Sequence, residues 1–102
     1  MGKITDERLI YEILAVVGEI PRGHVTTYGR IAALIGRDKN SRLVGRVLGR
    51  AYMFGDYPCH RVVNAAGRLV PGWARQRELL EGEGVTFTPS GHVNLQRHLW
   101  EA

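Results

Sequence analysis

The sequence predicts a mainly helical α+β domain, and three observations carry that prediction. Apolar residues recur at helical spacing through the first half, and capping residues punctuate them. Strand-like runs are confined to two short stretches, 61–70 and 85–87. The chain has 102 residues, 44% of them hydrophobic, which suits one domain over 1–102 with one modest core.

The first helix is expected over residues 5–20, where Leu9, Ile13, Val16, Val17 and Ile20 form one face, with Thr5 or Asp6 as the cap. Pro21-Arg22-Gly23 ends it. A second helix spans about 28–35, with Thr27 as N-cap, Ile31, Leu34 and Ile35 inward, and Gly36 past its end. A third runs from about 40 to 50, with Val44, Val47 and Leu48 inward. Two short helices about a tight turn read as a winged-helix-like helix-turn-helix. Residues 61–64 and 68–70, about the turn Ala65-Ala66-Gly67, predict a small β-hairpin. A helix follows at 74–82, with Leu79 and Leu80 inward, and then a short strand at Val85–Phe87. Val93, Leu95, Leu99 and Trp100 make the stretch from His92 to Trp100 an ordered cap, because so apolar a segment is not left in water.

Charge is distributed unevenly. Between Arg22 and Arg50 stand seven basic residues and one acid, Asp38, a net +6 in a chain of net +4. The basic charge is a local patch. A nucleic-acid partner and a merely solvated face both account for it. No apolar run approaches the roughly 20 residues of a membrane span. The single cysteine makes no internal disulfide, and a reducing cytoplasm is the expected compartment.

Within the third helix, Ser41, Gly45 and Gly49 form a smooth stripe, flanked by Arg42, Arg46 and Arg50. Glycine inside a helix costs about 1 kcal/mol against alanine. Either another helix of the chain packs there, or an external backbone approaches. A DNA minor groove, about 6 Å wide, admits such a face with arginines on the phosphates. The helix lacks the long polar side chains with which sequence-specific repressors read the major groove.

Cys59 lies in "PCHRVV". It is either an inert buried thiol or a nucleophile, which needs a base and an acid to orient that base. His60 is adjacent, and Glu78, Glu81 and Glu83 are all available downstream. The chain is too short for a papain-like fold.

"TTYGRIAALIG", "SRLVGRVL" and "PCHRVVNAAGRL", in this order and spacing, resemble the DNA-binding domain of O6-alkylguanine-DNA alkyltransferases, from about Leu9 to Val85. The resemblance implies a minor-groove helix-turn-helix that flips an alkylated guanine out of double-stranded DNA. The alkyl group then passes irreversibly to a cysteine, with no metal or cofactor. It implies Cys59 as acceptor, His60 as base through water, Glu83 as the acid orienting it, and Tyr28 as the residue assisting nucleotide rotation. Arg42 would fill the vacated stack, beside a DNA-facing surface of Ser41, Gly45, Arg46, Gly49 and Arg50. Phe54, Pro58, Val62 and Trp73 would form the base pocket, Val62 through its carbonyl.

The chain departs from the pattern in places. Ala51 replaces the hinge asparagine and Phe54 the pocket-lid proline. A shorter "LVPGWARQ" replaces the Gly-Tyr-x-Gly-Gly loop. The tail "SGHVNLQRHLW" resembles the alkyltransferase-like proteins, which usually carry tryptophan at the cysteine position and flag lesions for nucleotide excision repair. A monomer without the N-terminal accessory domain is expected, acting by alkyl transfer or, alternatively, as a non-enzymatic lesion sensor.

Overall fold

The computed structural model describes residues 7–102. Along the chain come α1 (Glu7–Glu19), β1 (Thr26–Thr27), α2 (Tyr28–Leu34), α3 (Ser41–Leu48), β2 (Val62–Val63), α4 (Ala74–Gly82) and α5 (Leu95–His98). Two 3₁₀ turns, Ala51–Met53 and Cys59–Arg61, lie between α3 and β2. The fold is mainly helical α+β with one two-stranded sheet.

α1 buries Leu9, Ile10, Ile13, Leu14 and Val17, a wider face than the predicted stripe. The proposed caps Thr5 and Asp6 lie outside the described residues. α2 starts as expected, with the Arg30 amide donating to Thr27 Oγ1 at 3.1 Å. It ends in a Schellman motif, the amides of Gly36 and Arg37 donating to the carbonyls of Ala33 and Ala32. Leu34 departs from expectation. It is 50% exposed, while Ala32 is buried. A seven-residue helix meets the core along a narrow Ile31–Ala32 edge, which leaves Leu34 beside Trp100 at the surface. α3 turns Leu43, Val44 and Val47 inward, with Leu48 only half-buried.

The hairpin expected over 61–70 does not form. β2 pairs in parallel with β1, Thr26 opposite Val62 and Thr27 opposite Val63. The turn itself is present, with Asn64 Oδ1 accepting from the amides of Ala66 and Arg68. A backbone bond from the Asn64 amide to the Arg68 carbonyl at 3.2 Å closes it, and beyond that the chain leaves β2 because its polar groups find other partners. The Gly67 carbonyl accepts from the Val93 amide, and the Val70 amide donates to Gln76 Oε1. Val85–Phe87 is likewise no strand, only an antiparallel bridge between Phe87 and Val93.

β2 lies between two apolar clusters. Val62 joins the cluster of α1, α2 and α3, while Val63 joins Val25, Leu80, Val85 and Val93. Successive strand residues point to opposite faces, so this Val-Val pair serves both cores. The tail closes the second core as expected. The Val25 amide donates to the His98 carbonyl, and the Trp100 amide donates to the Val25 carbonyl. Cys59 thus lies in the turn leading into the strand between the two cores.

Candidate functional site

Pro58 shapes the turn that presents Cys59. Its φ of −78° and ψ of 61° are those of an inverse γ-turn, and the Cys59 amide donates to the Tyr57 carbonyl at 2.8 Å. Proline fixes φ near this value and has no amide hydrogen to leave unpaired. The Arg61 amide then donates to the Pro58 carbonyl at 3.0 Å, closing a 3₁₀ turn. Cys59 lines an open cleft of about 580 Å³ with Asp56, Pro58, His60, Trp73 and Leu79. Burial raises the thiol pKa, and the nearby Asp56 carboxylate raises it further. The resting side chain is therefore a neutral thiol that needs a base.

Glu83 is the polar hub beside that turn. It caps α4 in a second Schellman motif. The Gly84 amide donates to the Glu81 carbonyl and the Val85 amide to the Leu80 carbonyl, with Val85 and Leu80 together in the second core. Gly84 takes the left-handed conformation that this ending requires, with φ +85°. The Glu83 side chain is 7% exposed. It accepts from His60 Nε2 at 2.7 Å, from Arg61 Nε and Nη2 at 3.0 and 2.9 Å, and from the Gly23 amide at 3.1 Å. Burial alone would push its carboxyl up. The hydrogen bonds from Arg61, His60 and Gly23 outweigh burial and hold it at about 2. An ionised carboxylate only accepts, so His60 Nε2 carries the hydrogen and Nδ1 of the neutral ring carries the lone pair. Of the three candidate acids only Glu83 meets His60. Glu78 and Glu81 pair with Arg75 and Arg77 on the exposed face of α4.

The assigned pocket residues separate. Pro58 and Trp73 share the cleft with Cys59. Phe54 does not line it. Its ring meets Tyr11 of α1 edge-on at 5.7 Å, in a depression with Ile10, Val47 and Met53. Val62 does not line it either. It is fully buried, and its carbonyl accepts from Gln76 Nε2 at 3.1 Å, which occupies one of the two lone pairs of that oxygen. Gln76, fully buried, also donates to the His60 carbonyl at 3.2 Å and ties the 69–75 loop to the cysteine turn. The sequence reading missed it, although it precedes Leu80 by one helical turn on the inward face. Tyr28 borders a smaller depression with Arg68, Leu69 and Val70. Burial and the nearby Cys59 raise its pKa, which keeps the hydroxyl protonated.

α3 presents its two stripes outward. Ser41, Arg42, Arg46, Gly49 and Arg50 are exposed and Gly45 is half-exposed. A Cβ built on Gly45 meets nothing within 4 Å, and at Gly49 it meets only carbonyls of its own helix. Packing among the described residues therefore does not explain these glycines. Among the described residues Arg42, Arg46 and Arg50 form no ion pair with a carboxylate. No described helix is long and apolar enough to cross a membrane.

Residues 9–85 match the family described as 6-O-methylguanine DNA methyltransferase, DNA binding domain. The chain is 44% identical over 88 residues to the DNA base-flipping protein of Escherichia coli, covering 83% of this chain and 68% of that protein. It is 44% identical over 63 residues to the methylated-DNA–protein-cysteine methyltransferase of Methanosarcina acetivorans, covering 62% of this chain and 40% of that one. The fold aligns with the crystal structure of S. pombe Atl1 in complex with damaged DNA containing O6-carboxymethylguanine. The TM-score is 0.84 at 31% identity, over 97% of this chain and all of the other.

Proposed function

The chain belongs to the 6-O-methylguanine DNA methyltransferase family, through its DNA-binding domain, and on that premise we propose that it binds O6-alkylguanine in double-stranded DNA and transfers the alkyl group to Cys59. α3 enters the minor groove through the Ser41–Gly45–Gly49 stripe, with Arg46 and Arg50 on phosphates and Arg42 in the gap left by the flipped base. The observation that carries the chemistry is the 2.7 Å contact between His60 and Glu83 beside the cysteine. It leaves the His60 Nδ1 lone pair as the base that a raised thiol needs.

The thiol proton passes through a bridging water to His60 as sulfur attacks the alkyl carbon. The carbon–O6 bond breaks and its electron pair stays on the guanine. Tyr28 protonates the guanine ring, and the proton held by His60 returns through water to the Tyr28 oxygen, so the thiol proton ends in effect on the released guanine. The thioether is stable, so each molecule acts once. The substrate and Cys59 supply all the atoms of the reaction, and the domain acts as a monomer. The intact mass should rise by one methyl group after incubation with an O6-methylguanine duplex. The added group should map to Cys59, with no change in Cys59→Ser or with undamaged DNA.

A second reading is a non-enzymatic sensor that hands the lesion to nucleotide excision repair. It is favoured by the thiol of Cys59, which burial and the nearby Asp56 carboxylate raise away from the reactive thiolate. Tight lesion binding with an unchanged mass after hours would sink the transfer and leave this reading in its place.

A further inference from the structure

The C-terminal helix α5 contributes a buried histidine that the proposed chemistry does not use. His98 is 8% exposed. The Thr86 amide donates to its Nε2 at 3.0 Å, and Thr86 Oγ1 lies 2.9 Å from the same atom. A nitrogen that accepts from a backbone amide carries no hydrogen, so the neutral ring holds its hydrogen on Nδ1. That Nδ1 lies 3.2 Å from the Gly23 carbonyl and donates to it. The amide of the same glycine donates to Glu83 Oε1 at 3.1 Å, and Glu83 Oε2 holds His60. A chain of hydrogen bonds therefore runs from Thr86 through His98, Gly23 and Glu83 to the histidine beside Cys59.

Gly23 is one of the glycines held in the left-handed region. It sits at φ +85°, a conformation that glycine adopts without steric penalty and also leaves easily. Its amide and its carbonyl belong to different peptide planes. Glu83 holds the first plane through the amide, while the second is held by His98 on the carbonyl and by the His24 amide, which donates to the Pro21 carbonyl at 3.1 Å. Arg61 holds the same carboxylate, with Nε on Oε1 at 3.0 Å and Nη2 on Oε2 at 2.9 Å, and its Nη1 donates to the Ile20 carbonyl at 2.8 Å. The Gly23 amide shares Oε1 with Arg61, and His98 helps to hold that glycine in place.

We propose that His98 is a positioning residue for the Glu83–His60 pair, acting through the Gly23 backbone. This deepens the alkyl-transfer reading and rests on it only where rates are concerned. The state of the His60–Glu83 hydrogen bond is independent of any transfer. It is read from the downfield Nε2 proton of His60 in histidine-selective 15N NMR, with Glu83→Gln identifying the resonance.

In His98→Leu, which loses both ring partners, that proton should broaden or move upfield while circular dichroism stays native. Single-turnover transfer should fall by about tenfold, in keeping with the sensitivity of such chemistry to sub-ångström misplacement. In His98→Gln the side-chain amide can accept from Thr86 and donate to Gly23, and the signal should return. Should His98→Leu fail to fold, Thr86→Val keeps the backbone donor and removes only the hydroxyl. The His98 resonance should then shift, and the His60 proton should shift with it. A His60 proton that stays unchanged in folded His98→Leu, or in Thr86→Val while His98 moves, overturns the proposal and leaves His98 a tie for the tail. If the wild type transfers nothing, the transfer reading fails and the NMR result still decides the role of His98.

Discussion

Glu83 gathers a histidine, an arginine and a backbone amide on one side chain that is 7% exposed. Its folded pKa of about 2 lies below the ordinary 4.5. A depressed carboxyl contributes stability that is fully present above the unfolded value and is lost as pH falls through the folded one. The shift corresponds to roughly 3 kcal/mol at neutral pH. Glu83→Gln should therefore lose about that much in urea denaturation near pH 7. The gap to wild type should close as pH falls from 4.5 toward 2. A gap that stays constant over that range would mean the carboxylate is not held as described. At this scale the sequence was partly legible. Glu83 meets His60, as the resemblance implied, next to Cys59 in the chain. Gln76 and His98 went unseen, because their roles rest on buried backbone groups from distant segments.

At the scale of the element, α3 is the clearest case of agreement. Its period-four stripes placed the glycines and arginines outward, and the structure leaves open space above Gly45. Gly45→Ala should stabilise the fold by up to about 1 kcal/mol, since alanine is the better helix former and nothing obstructs its methyl group. Gly45→Leu should fold as well, yet lose binding to duplex DNA, because a branched side chain keeps the helix out of a groove about 6 Å wide. Thermal unfolding and fluorescence anisotropy test the two halves. Normal DNA binding by Gly45→Leu would discard the minor-groove reading. The hairpin shows the opposite case. Val62-Val63 was rightly read as strand-forming, but its partner was sought next to it in sequence. Thr26-Thr27 is the partner, and a parallel pair needs a long crossover that no local pattern reveals.

At the scale of the whole molecule, charge is segregated. The Arg22–Arg50 segment carries net +6 in a chain of net +4. Affinity for duplex DNA should fall steeply with salt, each phosphate contact adding about 0.9 to the slope of log affinity against log salt. Arg46→Ala and Arg50→Ala should each lower that slope by about 1 and weaken damaged and undamaged duplexes equally. Arg42→Ala should instead erode the preference for the lesion, because filling a vacated stack compensates the cost of flipping. Equal losses on both duplexes would place Arg42 among the ordinary phosphate contacts.

Local signals determined much of this protein. Helix spacing, the Thr27 cap, the paired stripes of α3 and the Pro58-Cys59-His60 turn depend on residues within a few positions of one another, so the sequence alone specifies them. Tertiary structure decided what depends on closure. It chose Thr26-Thr27 as the strand partner and turned Leu34 outward. It engaged the Val62 carbonyl with Gln76, set Phe54 against Tyr11, and joined Gly23, Glu83 and His98 across 75 positions of chain. The physical reason is that a buried polar group must find a partner wherever the folded backbone offers one, and proximity in the fold is not proximity in the chain.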